Sequence, residues 1–193
     1  MFPFNNSQSN NANAWIVRGV ILYNRGLSLE ALGCFERALE LDPQNVHALY
    51  NKGNALARLG KDYEAIEFFT KALELNSMMP DAWNNKGNSL SRLGKDDEAL
   101  GCFDKALELT SRDAEIWANK ALSLVTLNRL EEALDCYNKA LEIDPNFTEA
   151  WLWKGMAEAR LGKNAEADAS FKTVGHLYPT KGMRRNRTDS HIS

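Results

Sequence analysis

The feature that most constrains this chain is a period of 34 residues. Trp15, Trp83, Trp117 and Trp151 stand 68, 34 and 34 residues apart, and Leu49 occupies the slot the long gap leaves. Four residues after each come Gly19, Gly53, Gly87, Ala121 and Gly155. Ala31, Ala65, Ala99, Ala133 and Ala167 repeat at the same interval, as do Phe35, Phe69, Phe103, Tyr137 and Phe171. Five copies follow without insertion: 12–45, 46–79, 80–113, 114–147 and 148–181. A period this long means a stack of small units, each too small to bury its own apolar face.

Within a copy the spacing is helical. Trp15, Gly19 and Leu22 share one helix face, and Ala31, Phe35 and Ala38 form a second stripe. Gly26 separates them, where a helix end accepts glycine best. Pro43, Pro145 and Pro179 close three copies, and Ser77 and Ser111 stand in that place in the other two. The residues predict an all-α chain of ten antiparallel helices.

Trp, Gly, Ala, aromatic and Pro at this period resemble the tetratricopeptide repeat, over residues 12–181. Wording such as Trp83-Asn84-Asn85-Lys86-Gly87 is similar to archaeal and bacterial members. The resemblance implies a right-handed superhelical solenoid, no enzymatic activity, and a scaffold or adaptor role in protein binding. Two departures recur. The residue before the glycine is cationic, from Arg18 through Lys52, Lys86, Lys120 and Lys154, and is expected to lie along the helix with its head in water. The family's tyrosine three residues after the glycine is Leu22, Leu56, Leu90, Leu124 and then Glu158.

The array is expected to end on a polar face. Leu32, Ile66, Leu100 and Leu134 give way to Asp168, and Leu39, Leu73, Leu107 and Leu141 give way to Gly175. Glu158 belongs with this change, as a loosened terminal repeat. Residues 1–11, rich in Asn and Ser, read as a disordered leader, and 182–193 as a short basic and polar tail.

Composition narrows the function. The net charge of −3 and the lack of an interleaved basic and aromatic surface argue against nucleic acid. No apolar run approaches a membrane span, and the start lacks signal-peptide character, so a cytoplasmic protein is expected. Cys34, Cys102 and Cys136 share one repeat position, too far apart for disulfides, and read as buried free thiols. His47, His176 and His191 are scattered, so neither a metal nor a cofactor is expected. No nucleophile stands beside a base, and acids such as Asp96-Asp97-Glu98 read as ordinary helix-start residues.

The informative stripe lies on the first helices. It reads Val17, Val20, Asn24; Asn51, Asn54, Arg58; Asn85, Asn88, Arg92; Asn119, Leu122, Thr126; and Trp153, Met156, Arg160. Propensity does not explain the asparagines, because Asn is a mediocre helix former. The resemblance places the first helices along a concave groove, where such amides bond a peptide backbone or a neighbouring repeat. The candidate groove residues are therefore Asn51, Asn54, Arg58, Asn85, Asn88, Arg92, Asn119, Trp153 and Met156. An acidic margin of Asp81, Glu115 and Glu149 faces a basic margin of Arg58, Arg92 and Arg160. The family's clamp for chaperone C-terminal carboxylates is not expected. Its positions hold Ile16, Val20, Asn51, Asp81 and Asn85, and no other register keeps a cation. The alternative is a self-associating module that uses an apolar end formed by Ile16, Val17, Val20 and Ile21.

Overall fold

The computed structural model describes residues 11–177. The leader's residues 1–10, Pro179 and the tail 182–193 lie outside them; Asn11, grouped with the leader above, caps the first helix through its side chain. Five helix pairs follow one another: α1 (Ala12–Asn24) with α2 (Ser28–Leu41), α3 (Val46–Arg58) with α4 (Asp62–Leu75), α5 (Pro80–Arg92) with α6 (Asp96–Leu109), α7 (Ala114–Thr126) with α8 (Leu130–Ile143), and α9 (Thr148–Arg160) with α10 (Asn164–Leu177). Each helix packs on the next. First helices also approach the first helices of adjacent pairs, whereas the backbones of second helices stay further from one another. That asymmetry curves the solenoid, with α1, α3, α5, α7 and α9 lining the concave side.

The period is built from a few contacts. Between paired helices, Gly26, Gly60, Gly94 and Gly162 take φ of +84, +75, +73 and +74°. Copy four places Asn128 there at φ 60°, and Asn bears that conformation better than other L residues. Inside four of the five pairs the aromatic of the second helix presses on the glycine of the first, and copy four sets Tyr137 beside Ala121 instead. A Cβ at Gly87 would lie 2.7 Å from the ring of Phe103. Phe35, Phe69, Phe103 and Tyr137 are fully buried as a result. The Tyr137 hydroxyl is buried with no hydrogen-bond partner among the described residues. Trp83, Trp117 and Trp151 donate their indole N–H to the carbonyls of Ser77, Ser111 and Pro145 at 3.0, 3.0 and 2.9 Å. Serine replaces proline without loss because the acceptor is a backbone oxygen, which either residue supplies.

Arg18 is exposed as expected, but the lysines before the later glycines are largely covered. The side chains of Lys52, Lys120 and Lys154 are 15, 21 and 18% exposed. Lys120 and Lys154 lie on the rings of Trp117 and Trp151, at 5.7 and 5.0 Å from the centroids. Lys52 lies over Phe68 at 4.3 Å. Ring faces attract cations, and acids of the preceding second helix complete the pull. Lys52 meets Glu36 at 3.1 Å, and Lys120 meets Asp104 at 2.6 Å.

At the far end Asp168 and Gly175 are exposed, but the face is not wholly polar, because Phe171 is 38% exposed. Nor is Glu158 a sign of loosening. It is buried, accepts a hydrogen bond from the Ser170 hydroxyl at 2.7 Å and lies 3.7 Å from Lys154. Ser170 occupies the slot of Cys34, Cys102 and Cys136, so carboxylate and hydroxyl replace leucine and thiol together. Those three cysteines are buried and free, and burial pushes each thiol above its ordinary pKa.

Candidate functional site

The asparagine stripe divides according to what lies one repeat back. Each of its lead positions faces the preceding first helix, at residues 35 and 31 places earlier. For Asn85 these are Tyr50 and Asn54, and its amide donates to both, at 3.2 and 2.9 Å. Burial pushes the Tyr50 phenol above its ordinary pKa, so it remains a hydroxyl at neutral pH. Asn119 donates to Asn84 at 3.1 Å. For Asn51 the corresponding residues are Ile16 and Val20, which accept nothing, and it turns to its own helix at the His47 carbonyl, 2.8 Å away. Trp153 faces Ala118 and Leu122, and its half-buried ring lies 6.4 Å from that of Tyr137. Tyr50 and Asn84 were not read from the sequence as partners of Asn85 and Asn119, though their offset of 35 from an asparagine marks them.

Asn88 differs from the rest: half-buried, it makes no side-chain hydrogen bond among the described residues. It lines two adjoining cavities on the concave side. One, of about 310 Å³, lies between Asn54 and Arg58 of α3 and Asn85, Asn88 and Arg92 of α5, closed by Tyr23 of α1. The next, of about 470 Å³, runs from Asn88 and Arg92 to Asn119, Leu122 and Thr126 of α7. Six of the nine candidate residues thus meet in one continuous groove. Asn51, Trp153 and Met156 line neither cavity, and Met156 stands 55% exposed further along the array.

The arginines are tethered rather than loose. Arg58 donates to the Tyr23 carbonyl at 2.9 Å and stacks on the Tyr23 ring, 4.9 Å from its centroid. Arg160 repeats the device, reaching the Val125 carbonyl at 3.4 Å and Asn128 at 2.9 Å. The two carbonyls lie in the last turn of the preceding first helix and also accept the backbone N–H of Gly26 and of Asn128. Arg92 departs because copy two offers an acid: its Nε donates to both carboxylate oxygens of Asp62, at 3.0 and 3.1 Å. Burial of Asp62 opposes ionisation. The hydrogen bonds from Arg92 and Ser89 and the charge of Arg92 outweigh it, and hold the carboxyl below its usual pKa. Asp96, read as an ordinary helix-start residue, is also buried. It accepts from Ser91 at 2.8 Å, which in turn accepts from Ser123 at 3.0 Å.

Two cavities on the other flank, between α6 and α8 and between α8 and α10, are lined by residues one period apart: Asp97 and Glu131, Leu100 and Leu134, Lys120 and Lys154. Their recurrence marks them as products of repeat packing. Among the described residues no group of His, Cys, Asp and Glu has the arrangement to hold a metal ion. No helix among them is long and apolar enough to cross a membrane.

Helix pairs stacked with a curved inner face, repeated glycine–aromatic contacts and indole-to-carbonyl bonds define a helical-repeat solenoid. Family profiles described as tetratricopeptide repeat match residues 16–80, 80–111, 114–147 and 136–169. The chain belongs to the tetratricopeptide-repeat family. Solved structures agree in fold. MamA from Desulfovibrio magneticus RS-1, residues 41 to the end, is 24% identical, with a TM-score of 0.81 over 88% of this chain and 96% of that one. YrrB, described as a TPR protein with an unusual peptide-binding site, is 26% identical, with a TM-score of 0.73 over 89% of each chain. PilF of Pseudomonas aeruginosa is 20% identical, with a TM-score of 0.79 over 89% of this chain and 78% of that one. No curated protein matches the sequence significantly.

Proposed function

We propose that the chain is a non-enzymatic scaffold that holds an extended peptide segment of a partner along α3, α5 and α7. The observation that carries this reading is Asn88, a half-buried carboxamide without a hydrogen-bond partner among the described residues, where two concave cavities join. A carboxamide offers both donor and acceptor, which suits a peptide backbone of any sequence. The likeness to YrrB, with its peptide-binding site, supports it. Three buried, unpaired thiols fit a reducing compartment such as the cytoplasm.

The test is a random peptide library, displayed on phage and selected against the whole chain. Affinities of the recovered peptides are then measured by fluorescence anisotropy. Asn88→Ala breaks no bond between repeats, unlike changes at Asn85 or Asn119. It is expected to weaken binding about 5- to 10-fold, the worth of one or two hydrogen bonds. Thermal stability should stay within about 0.5 kcal/mol, since alanine is the better helix former. Recovery of no peptide, or equal affinity for the variant, overturns the reading.

A second reading, self-association, has its own observation. Val17 and Ile21 are 59 and 48% exposed on α1 and line a cavity of about 620 Å³. Ile16 and Val20, grouped with them from sequence, instead pack inward against Ala38 and Phe35. Sedimentation velocity that shows one concentration-independent monomer removes this reading.

A further inference from the structure

The cavity between α3 and α5 carries a charge pattern that says more about its occupant. Its only charged lining residues are Arg58 and Arg92, set among Asn54, Asn85 and Asn88. No acid lines it. Asp62, bound to Arg92, offsets one of the two positive charges and leaves a net charge of one, on a chain whose formal net charge is −3.

Both guanidinium groups are held in place yet keep donors to spare. A guanidinium has five N–H bonds. Arg58 uses Nη1 for the Tyr23 carbonyl while its plane rests on the Tyr23 ring. Arg92 uses Nε and Nη2 for Asp62 and Ser89. A group already ordered loses less entropy when it binds, and planar pairing of guanidinium with carboxylate is strong and directional. The neighbouring cavity has a different character. Thr126 stands where an arginine would, and Leu122, 41% exposed, supplies an apolar contact.

We propose that the α3–α5 cavity binds the side-chain carboxylate of an Asp or Glu within the segment, and that Leu122 takes an apolar side chain of the same segment. This rests on the groove reading above. The cavity adjoins the next one along the concave face towards α7, so the carboxylate is assigned to a side chain of a segment that runs through both. Packed helices lie ~8–10 Å apart, so the cavity and α7 are separated by ~12–15 Å. An extended chain covers that in about four residues at ~3.3–3.6 Å each. The occupant is therefore an acidic residue with an apolar residue about four places away.

The selected peptides test this through their sequences. Enrichment of Asp or Glu at one site, with an apolar residue about four positions off, is expected. Replacing the enriched Asp by Asn should weaken binding to the parent protein about tenfold, and to Arg58→Gln less than about threefold, with affinity falling as salt rises. Arg58→Gln is chosen because Arg92 also neutralises a buried acid, and melting of the variant confirms its fold. Peptides that bind without acidic enrichment, or that tolerate Asp→Asn, overturn the carboxylate assignment and leave the groove standing. Loss of binding on amidating the peptide's C-terminus assigns the cavity to a chain end and overturns it too. Recovery of no peptides removes both.

Discussion

The third and fifth repeats share most of their landmarks, yet the same residue meets different surroundings in each. Phe103 and Phe171 both press on a glycine of the paired helix, Gly87 and Gly155, where a Cβ would come within 2.7 and 2.6 Å of the ring. Phe103 is fully buried, whereas Phe171 is 38% exposed. The glycine contact is internal to a repeat, so both copies have it. The remaining cover comes from the repeat that follows, and among the described residues only the third has one. The tryptophans teach the converse. Trp83, Trp117 and Trp151 face backward to the preceding loop, and all three are half-buried with the same indole bond. The end of the array therefore weakens the aromatic of the second helix and spares the tryptophan of the first.

The largest effect that would break this comparison is at the phenylalanines. Phe103→Ala should cost about 3–5 kcal/mol, as truncation of a fully buried aromatic does, and Phe171→Ala about half of that or less. Urea denaturation with hydrogen exchange resolved by repeat makes the measurement, since repeat arrays need not unfold as one unit. Equal losses would mean that the following repeat contributes little to burial.

The next effect concerns Leu90 against Glu158, both buried at the same place in their repeats. Glu158→Leu alone leaves the Ser170 hydroxyl without its acceptor. Glu158→Leu with Ser170→Cys restores the pairing of copies three and four. The double change is expected to stabilise α9 and α10 by about 1–4 kcal/mol, the range seen when buried charges give way to packed apolar groups. Hydrogen exchange of these two helices reads it. A less stable double variant would show that the carboxylate organises the terminal repeat.

The smallest effect separates Arg92 from Arg160. Arg92 meets an acid, and Arg160 meets a carbonyl and an amide. Arg92→Gln should cost about 1–2 kcal/mol at pH 7, because its exposed head is partly screened, and Arg160→Gln about 1 kcal/mol or less. Only the first cost should depend on pH in the acid range. The Asp62 carboxyl is held below the 3.8 of an unperturbed group. Its contribution is therefore present above that value and is lost as the pH falls through the lower folded pKa. Thermal melts of both variants and the parent between pH 7 and pH 2.5 check this. A gap between parent and Arg92→Gln that stays constant to the lowest pH would show that the pair is not ionic.

The groove was partly legible in advance. Asn54, Arg58, Asn85, Asn88, Arg92 and Asn119 could be placed on one face because helical spacing is a local property. Which amide stays available was not legible. Asn85 and Asn119 are engaged and Asn88 is not, and the difference lies in residues 31 and 35 places away, on another helix. The same distance hid the acids that Lys52 and Lys120 meet and the tethering of the arginines, since those partners belong to the preceding repeat.

The sequence by itself determined the number of repeats, the two helices in each, the glycine turn between them and the face that carries the amides. All of these follow from periodicity, helix geometry and backbone conformation within one repeat. Only the tertiary structure decided which polar groups are used up between repeats: Asp62 by Arg92, Asn54 and Tyr50 by Asn85, Asn84 by Asn119. Those pairings depend on how one helix pair is set against the next, and a buried polar group takes whichever partner that setting brings within ~3 Å.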